Sequence, residues 1–164
     1  MISFTDLFLG WLEQRGSYRM IERDGKPYLK RYIIARFPGK RAIYLHQFWA
    51  SDPDHVHDHP WPNASLILKG GYREHYHDGT YIDRNPGSWT VRDATTLHRI
   101  EVPAGTEGSA WSLFFTGKRT RQWGFLTEEG WQSAREYDRQ PVEVYGRDFI
   151  YEGWIFPRVV KVTQ

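Results

Sequence analysis

The chain contains no cysteine. That excludes disulfides, a thiolate nucleophile and any cysteine-bound zinc. Long hydrophobic runs are missing too: no stretch approaches the ~20 apolar residues that span a bilayer, so no membrane association is expected. The N-terminus lacks a basic segment followed by an apolar run, so no signal peptide is expected, and a cytoplasmic protein is the default. Charge of one sign is also lacking. The formal net charge is only +2, with acids and bases interspersed. No basic stripe exists to track a phosphate backbone, so no nucleic-acid partner is expected.

Hydrophobic residues make up 40% and aromatic residues 16% of the sequence, which is not the composition of a disordered chain. Its 164 residues suit one domain with a substantial core. Only residues 3–15 carry helical periodicity. Phe4, Leu7, Phe8, Trp11 and Leu12 fall on one apolar face, Ser3 is placed to cap the start, with Asp6 three residues on, and Gly16 to end the helix. From Tyr28 onward the pattern is one of strands: 28–36, 42–49, 64–69, 72–77, 80–83, 88–92, 97–102 and 109–116. They are punctuated by Pro38-Gly39, Gly70-Gly71, Asp78-Gly79, Pro86-Gly87 and Pro103-Ala104-Gly105. A further hairpin is expected within 121–136. Many short strands with regular turn signals predict an all-β sandwich or barrel. The tail, 141–164, is rich in aromatic and branched residues. It is expected to pack on the barrel or on a second copy, which makes a homodimer the expected assembly.

The densest chemistry lies in Asp54-His55-Val56-His57-Asp58-His59-Pro60-Trp61-Pro62-Asn63. In an extended chain, alternate residues share a face, so His55, His57 and His59 point the same way. Two imidazoles at i and i+2 can reach one ion, and neutral imidazole suits iron, zinc, copper and nickel. Parity alone leaves two registers open, His55-x-His57 and His57-x-His59. Asp58 points to the opposite face, to solvent or to a neighbouring loop. Asp52 and Asp54 read as turn formers. Trp61 between two prolines stiffens the chain beside the histidines and reads as a wall that keeps water out and borders a substrate.

His57-x-His59, Asn63 and Gly70, followed by Gly87, Asp93 and His98, resemble the two signature motifs of the cupin superfamily, G-x5-H-x-H-x3,4-E-x6-G and G-x5-P-x-G-x2-H-x3-N. The likeness covers roughly residues 40–117. It implies a single cupin-type jelly-roll β-barrel with an N-terminal helix over residues 1–164, its barrel core about 28–127. It also implies that His57, His59 and His98 are metal ligands. The departures are Ser51 for the leading glycine, Asn63 for the glutamate ligand, Asp93 and Thr95 for the proline and glycine of the second motif, and Val102 for its asparagine. A three-histidine cupin without the glutamate looks like the thiol dioxygenases, which bind ferrous iron. The resemblance therefore implies a divalent metal, Fe(II) first, with Zn, Ni or Mn as alternatives, and a small-molecule substrate. No cysteine–tyrosine crosslink can form here.

If Gly70-Gly71 is a two-residue hairpin turn, Ile67 pairs with Glu74, and Glu74 and Tyr76 join the histidine face. Glu74 then reads as a general base or fourth ligand, and a surface acid is the alternative. Tyr76 reads as a cavity wall beside it, and both are candidate catalytic residues. His75 and His77 would face out. His46 shares a face with Tyr44 and Phe48, as a core histidine or a substrate contact. Asn63 is placed to hold a water or a substrate group. Arg92 could reach an anion only if it faces inward, whereas Arg99 should face out. Three functions are consistent with these residues: a ferrous dioxygenase, a metal-dependent sugar isomerase or epimerase, and a ligand-binding cupin without turnover.

Overall fold

The computed structural model describes residues 4–23, 25–137 and 144–145. Helix α1 (Phe4–Gln14) comes first. The strands follow: β1 (Tyr18–Arg23), β2 (Lys26–Phe37), β3 (Arg41–Phe48), β4 (Asn63–Lys69), β5 (Tyr72–Tyr76), β6 (Tyr81–Arg84), β7 (Trp89–Arg92), β8 (His98–Glu101), β9 (Ala110–Thr116), β10 (Gly124–Thr127) and β11 (Gly130–Ser133). A short helix, α2 (Ala134–Tyr137), and β12 (Val144–Tyr145) complete the described chain. The remainder of the aromatic tail lies outside the described residues. Among the described residues no helix is long and apolar enough to cross a membrane.

The strands form two antiparallel layers. The larger sheet runs β12-β1-β2-β3-β9-β4-β7. The smaller sheet runs β6-β5-β8 and continues through His57, which bridges His98 of β8 on one side and Phe125 of β10 on the other. Between the layers, Leu29, Phe48, Ile67 and Ala110 of the larger sheet meet Tyr72, Ile100 and Val102 from the smaller side. Along β9 burial alternates strictly, with Ala110, Ser112, Phe114 and Thr116 inside. β4 does the same with Asn63, Ser65 and Ile67. This period-2 pattern is what directs both strands' polar residues into the interior.

Three expectations need correction. Gly70-Gly71 is not a hairpin turn, since β4 and β5 belong to different sheets. Gly70 has φ 68° and passes so close to Ser109 that a Cβ would sit 2.6 Å from its carbonyl oxygen. Gly71 passes equally close to the Arg84 carbonyl. Two glycines let the chain squeeze between these neighbours and cross from one layer to the other. The inward parity of Glu74 survives the crossing, because Tyr72 and Glu74 are the buried residues of β5.

The apolar face of α1 is narrower than its sequence periodicity suggests. Leu12 is buried, and Leu9 joins it against Tyr32, Leu45, Trp111 and Leu113 on the outer surface of the larger sheet. Leu7, Phe8 and Trp11 flank this contact and are 60%, 37% and 48% exposed. The bulky Tyr32 and Trp111 beneath the helix leave room for one row of side chains. Phe8 and Trp11 stack on each other, and the Arg15 guanidinium covers Trp11. Gly16, at φ 64°, ends the helix. Its N–H donates to Glu13 O, and that of Ser17 donates to Leu12 O. The third correction is β1, which sequence pattern did not mark as a strand. Its residues alternate weakly, and all six are half-buried.

Candidate metal centre

Residues 55–59 form an extended segment stitched between two strands. The His57 N–H donates to His98 O at 2.8 Å, and the His98 N–H donates back to His57 O at 3.0 Å. On the other edge Asp58 N donates to Gly124 O, and Leu126 N donates to Val56 O. His57 and His98 are therefore cross-strand partners on one face. The His59 N–H donates to Ala94 O, which pins the chain as it leaves toward β4. Pro60-Trp61-Pro62 follows, tied to the segment after β9. The Pro60 and Pro62 carbonyls accept from Thr120 and Gly117, and Trp61 is buried. Gly117 is required here, because a Cβ would come within 2.8 Å of the Pro62 ring.

Asp58 is the reason this segment lies flat. It faces away from the histidines, as alternation predicts, yet it is only 1% exposed, so the docking alternative is the one realised. Burial raises its pKa, opposed by the Gly124 N–H, the Arg121 guanidinium at 2.8 Å and the Trp131 indole N–H at 3.0 Å. The β10–β11 hairpin is thus clasped onto the back of the histidine segment.

On the front, His57, His59 and His98 each offer a ring nitrogen, and these atoms lie within 4.8 Å of one another. The three ring centroids form a nearly equilateral triangle with sides of 5.2, 5.0 and 5.1 Å. His59 Nε2 and His98 Nε2 are 2.8 Å apart, close to the roughly 3 Å that separates neighbouring nitrogens bound to one ion at about 2.1 Å. Burial lowers the pKa of His57 to about 4 and takes that of His59 well below its usual value, with the neighbouring histidines and Arg92 adding to the effect. Both rings are neutral at pH 7, the form that binds metals. His57 Nδ1 is buried, has no hydrogen-bond partner among the described residues, and lies 3.8 Å from Asp52 Oδ2. The donor set and its spacing fit a divalent ion.

Glu74 sits immediately behind this triangle, fully buried. Its Oε1 accepts from His98 Nδ1 at 2.7 Å and from Arg92 Nε at 2.5 Å. Its Oε2 accepts from Arg84 Nε at 2.7 Å. Burial alone would raise the Glu74 pKa, but the hydrogen bonds from His98 and Arg92 hold it well below the carboxylate range. An ionised carboxylate at Nδ1 holds a proton on that nitrogen and orients Nε2 toward His59 and the centre of the triangle. The expectation that Glu74 acts as a general base or fourth ligand therefore gives way to a supporting role, because three donors already hold both its oxygens. The Tyr76 hydroxyl accepts from Arg84 Nη2 at 2.8 Å and takes part in the same clamp.

The remaining expectations divide. His46 is buried between Tyr44 and Phe114, and its Nε2 accepts from Arg31 Nε at 3.0 Å, which makes it a satisfied core histidine. Burial, then Arg31, lowers its pKa well below the ordinary value. Asn63 is buried, with Oδ1 3.4 Å from Arg92 Nη1. His55 is outside the triangle, with Nδ1 2.8 Å from the Tyr137 hydroxyl. His75 pairs with Glu101, and His77 is exposed. Arg92 does face inward, 4% exposed, whereas Arg99 is only half-buried, next to His75 on β5. Asp52, expected to be a turn former, is a buried anchor instead: it accepts from the Tyr28 hydroxyl and from Ile100 N. Nothing in its local sequence signals that role, since Ile100 is brought to it by the fold.

The antiparallel layers with three inward histidines define a cupin-type fold with a site able to bind a metal. No protein-family model and no curated protein sequence matches the chain. Solved structures do. The crystal structure of Fe(II) HppE superposes with a TM-score of 0.51 at 17% identity, covering 60% of this chain and 56% of that one. Hydroxypropylphosphonic acid epoxidase from S. wedmorenis gives 0.49 at 17% identity, covering 60% and 55%. KdgF from Halomonas sp. gives 0.45 at 19% identity, covering 59% and 86%. The match thus spans little more than half the length of the HppE and epoxidase chains, and at such identities the likeness is one of fold.

Proposed function

We propose that this chain is a metal-dependent enzyme, a ferrous-iron dioxygenase acting on a small polar molecule. The observation that carries this reading is the triangle of buried histidines with no protein carboxylate among its members. The Fe(II) in the HppE crystal structure, on a similar fold, supports iron as the metal. Three neutral ligands leave an ion its full charge and leave coordination positions free. Fe(II) held there would supply sites where dioxygen and substrate meet. The chain's own contribution is orientation and dryness. Glu74 orients His98 through Nδ1, and Phe114 and Phe125 pack against His59 and His57 and keep water from them. The finer likeness to thiol dioxygenases rests on the same three-histidine set. A sugar isomerase would need a residue free to move a proton, and the clamped Glu74 is poorly suited to that.

The test is anaerobic titration of the metal-free protein with Fe(II), followed by nitric oxide as a dioxygen surrogate. A single tight ferrous site per chain and the high-spin ferrous–nitrosyl EPR signal are expected, since that signal requires an open position on the iron. Tight Zn(II) binding with no ferrous–nitrosyl signal would turn the reading to a hydrolytic or isomerising metal site. Failure to bind any of Fe(II), Zn(II), Ni(II) or Mn(II) would leave the ligand-binding cupin.

A further inference from the structure

Glu74 stands behind one member of the histidine triangle, His98. A second carboxylate lies beside another member. Asp52 precedes His57 in the connection between β3 and β4 and is 7% exposed. Both ends of the segment from Asp52 to His57 are tied to one strand. The Asp52 N–H donates to Ile100 O at 2.8 Å, and the Ile100 N–H donates back to Asp52 Oδ2 at 2.6 Å. Just before it, Ser51 Oγ accepts from the Val102 N–H at 2.9 Å. At the other end, His57 exchanges main-chain hydrogen bonds with His98. His98 and Ile100 are alternate residues of β8 and share its buried face. The segment is therefore folded back so that its first and last side chains meet: Asp52 Oδ2 lies 3.8 Å from His57 Nδ1. Asp52 Oδ1 accepts from the hydroxyl of Tyr28 on β2, so both sheets hold the carboxylate in place.

His57 Nδ1 is buried and has no hydrogen-bond partner among the described residues. A buried N–H left without an acceptor costs roughly 1–3 kcal/mol. A carboxylate oxygen carries two lone pairs, and the Ile100 N–H occupies one of those on Oδ2. A shift of about 1 Å at Nδ1, a small rotation of the imidazole, brings the other into hydrogen-bond range. We propose that Asp52 is the positioning residue of His57, accepting its Nδ1–H and turning Nε2 to the ion. The inference rests on the metal reading above for the ion, and on the geometry of the segment alone for the contact. Histidines that bind metals donate their other ring N–H to a carboxylate, carbonyl or water, which fixes the ring and raises its basicity. Asp52 is anchored on Tyr28 and Ile100, and Glu74 on Arg84 and Arg92, so the two supports can be removed separately.

The test uses 15N-labelled protein, metal-free and loaded with redox-inert Zn(II). Two-bond 1H–15N correlation of the imidazoles shows which ring nitrogen carries the proton. In the metal-free protein His57 is expected as the Nδ1–H form, with that proton protected from exchange with water, and Zn(II) is expected to shift the Nε2 resonance of His57. In Asp52→Ala the His57 Nδ1–H should lose its protection and Zn(II) affinity should fall at least tenfold, while the Nδ1–H of His98 on Glu74 stays as it was. Asp52→Asn, which keeps an acceptor oxygen, should recover part of that affinity. If Asp52 serves the fold alone, both histidines change together, or neither changes while the melting temperature of the metal-free protein falls. Either outcome overturns the proposal. So does a Zn(II) shift at Nδ1 of His57 instead of Nε2 in the wild type, a result that needs no variant and holds even where Asp52→Ala does not fold. A His57 Nδ1–H held by Asp52 in a protein that takes up no metal would keep the contact and remove the metal reading instead.

Discussion

A carboxylate that accepts from a histidine and two arginines with no exposed surface is a demanding residue to replace. In Glu74→Gln one oxygen becomes an NH2 group that must face a donor, either the Arg84 guanidinium or the shared position of His98 and Arg92. Removing the charge also leaves two buried or half-buried guanidinium groups without their counter-ion. The expected loss in urea unfolding is about 3 kcal/mol or more, the scale of breaking a buried ion pair. Metal affinity should fall by roughly 10- to 100-fold, because His98 loses the partner that orients it. A Glu74→Gln protein with unchanged metal affinity would show that Glu74 only stabilises the fold. Among the histidines, alanine at 57, 59 or 98 should abolish most metal binding, and alanine at 55, 75 or 77 should not. Metal content of the six purified variants decides this, and loss in His55→Ala with retention in His59→Ala would favour the other register. The convergence of His57, His59 and His98 was readable in the sequence, because alternation puts His57 and His59 on one face and the resemblance to a second motif singles out His98. The role of Glu74 was not, because its partners lie 24, 10 and 18 residues away and meet it only across strands and sheets.

At the scale of elements, eight of the strands were legible because β-branched and aromatic runs end at glycine and proline turns, and the boundaries agree within two residues. What local pattern could not show is which sheet each strand joins. Gly70-Gly71 has the composition of a hairpin turn, yet its role is to let the chain pass between Ser109 and Arg84 on its way to the other layer. The same glycines provide a test. Gly79 also has a positive φ, 82°, but open space around it, so Gly79→Ala carries only the left-handed backbone cost of about 1–2 kcal/mol. Gly70→Ala carries that cost plus a collision with backbone, since three atoms of Ser109 and Ala110 lie within 2.9 Å of the added Cβ. Chemical denaturation should therefore rank Gly70→Ala below Gly79→Ala by a further ~1 kcal/mol at least, within the range of severe single substitutions. Equal losses would mean that the crossing can open without strain. The α1 contact follows the same lesson: the helix was readable from its 3.6-residue period, but the width of its buried face is decided by the size of Tyr32 and Trp111 beneath it.

At the scale of the molecule, a metal held by the three histidines would also be a staple. His57 is held in the smaller sheet between β8 and β10, His98 opens β8, and His59 lies on the chain leading into β4 of the larger sheet. An ion shared by all three joins the layers at the end where the chain changes sheet. Metal that binds the folded chain and not the unfolded one adds RT ln(1 + [L]/Kd), about 2.7 kcal/mol at a free concentration 100 times Kd. For a chain of this size each kcal/mol moves the melting temperature by roughly 2–4 °C, so a rise on the order of 5–10 °C is expected at that loading. Scanning calorimetry on metal-free protein, metal-loaded protein and metal-loaded protein with excess chelator should show the rise and its reversal. The His98→Ala variant should show no metal-dependent rise at the same concentration, whereas His55→Ala, whose ring rests against Tyr137 instead, should keep the full effect. A rise of equal size in wild type and His98→Ala would mean that the ion binds elsewhere on the folded chain. A melting temperature that stays constant at saturating metal would mean that the histidines hold an ion no better folded than unfolded, and would remove the staple.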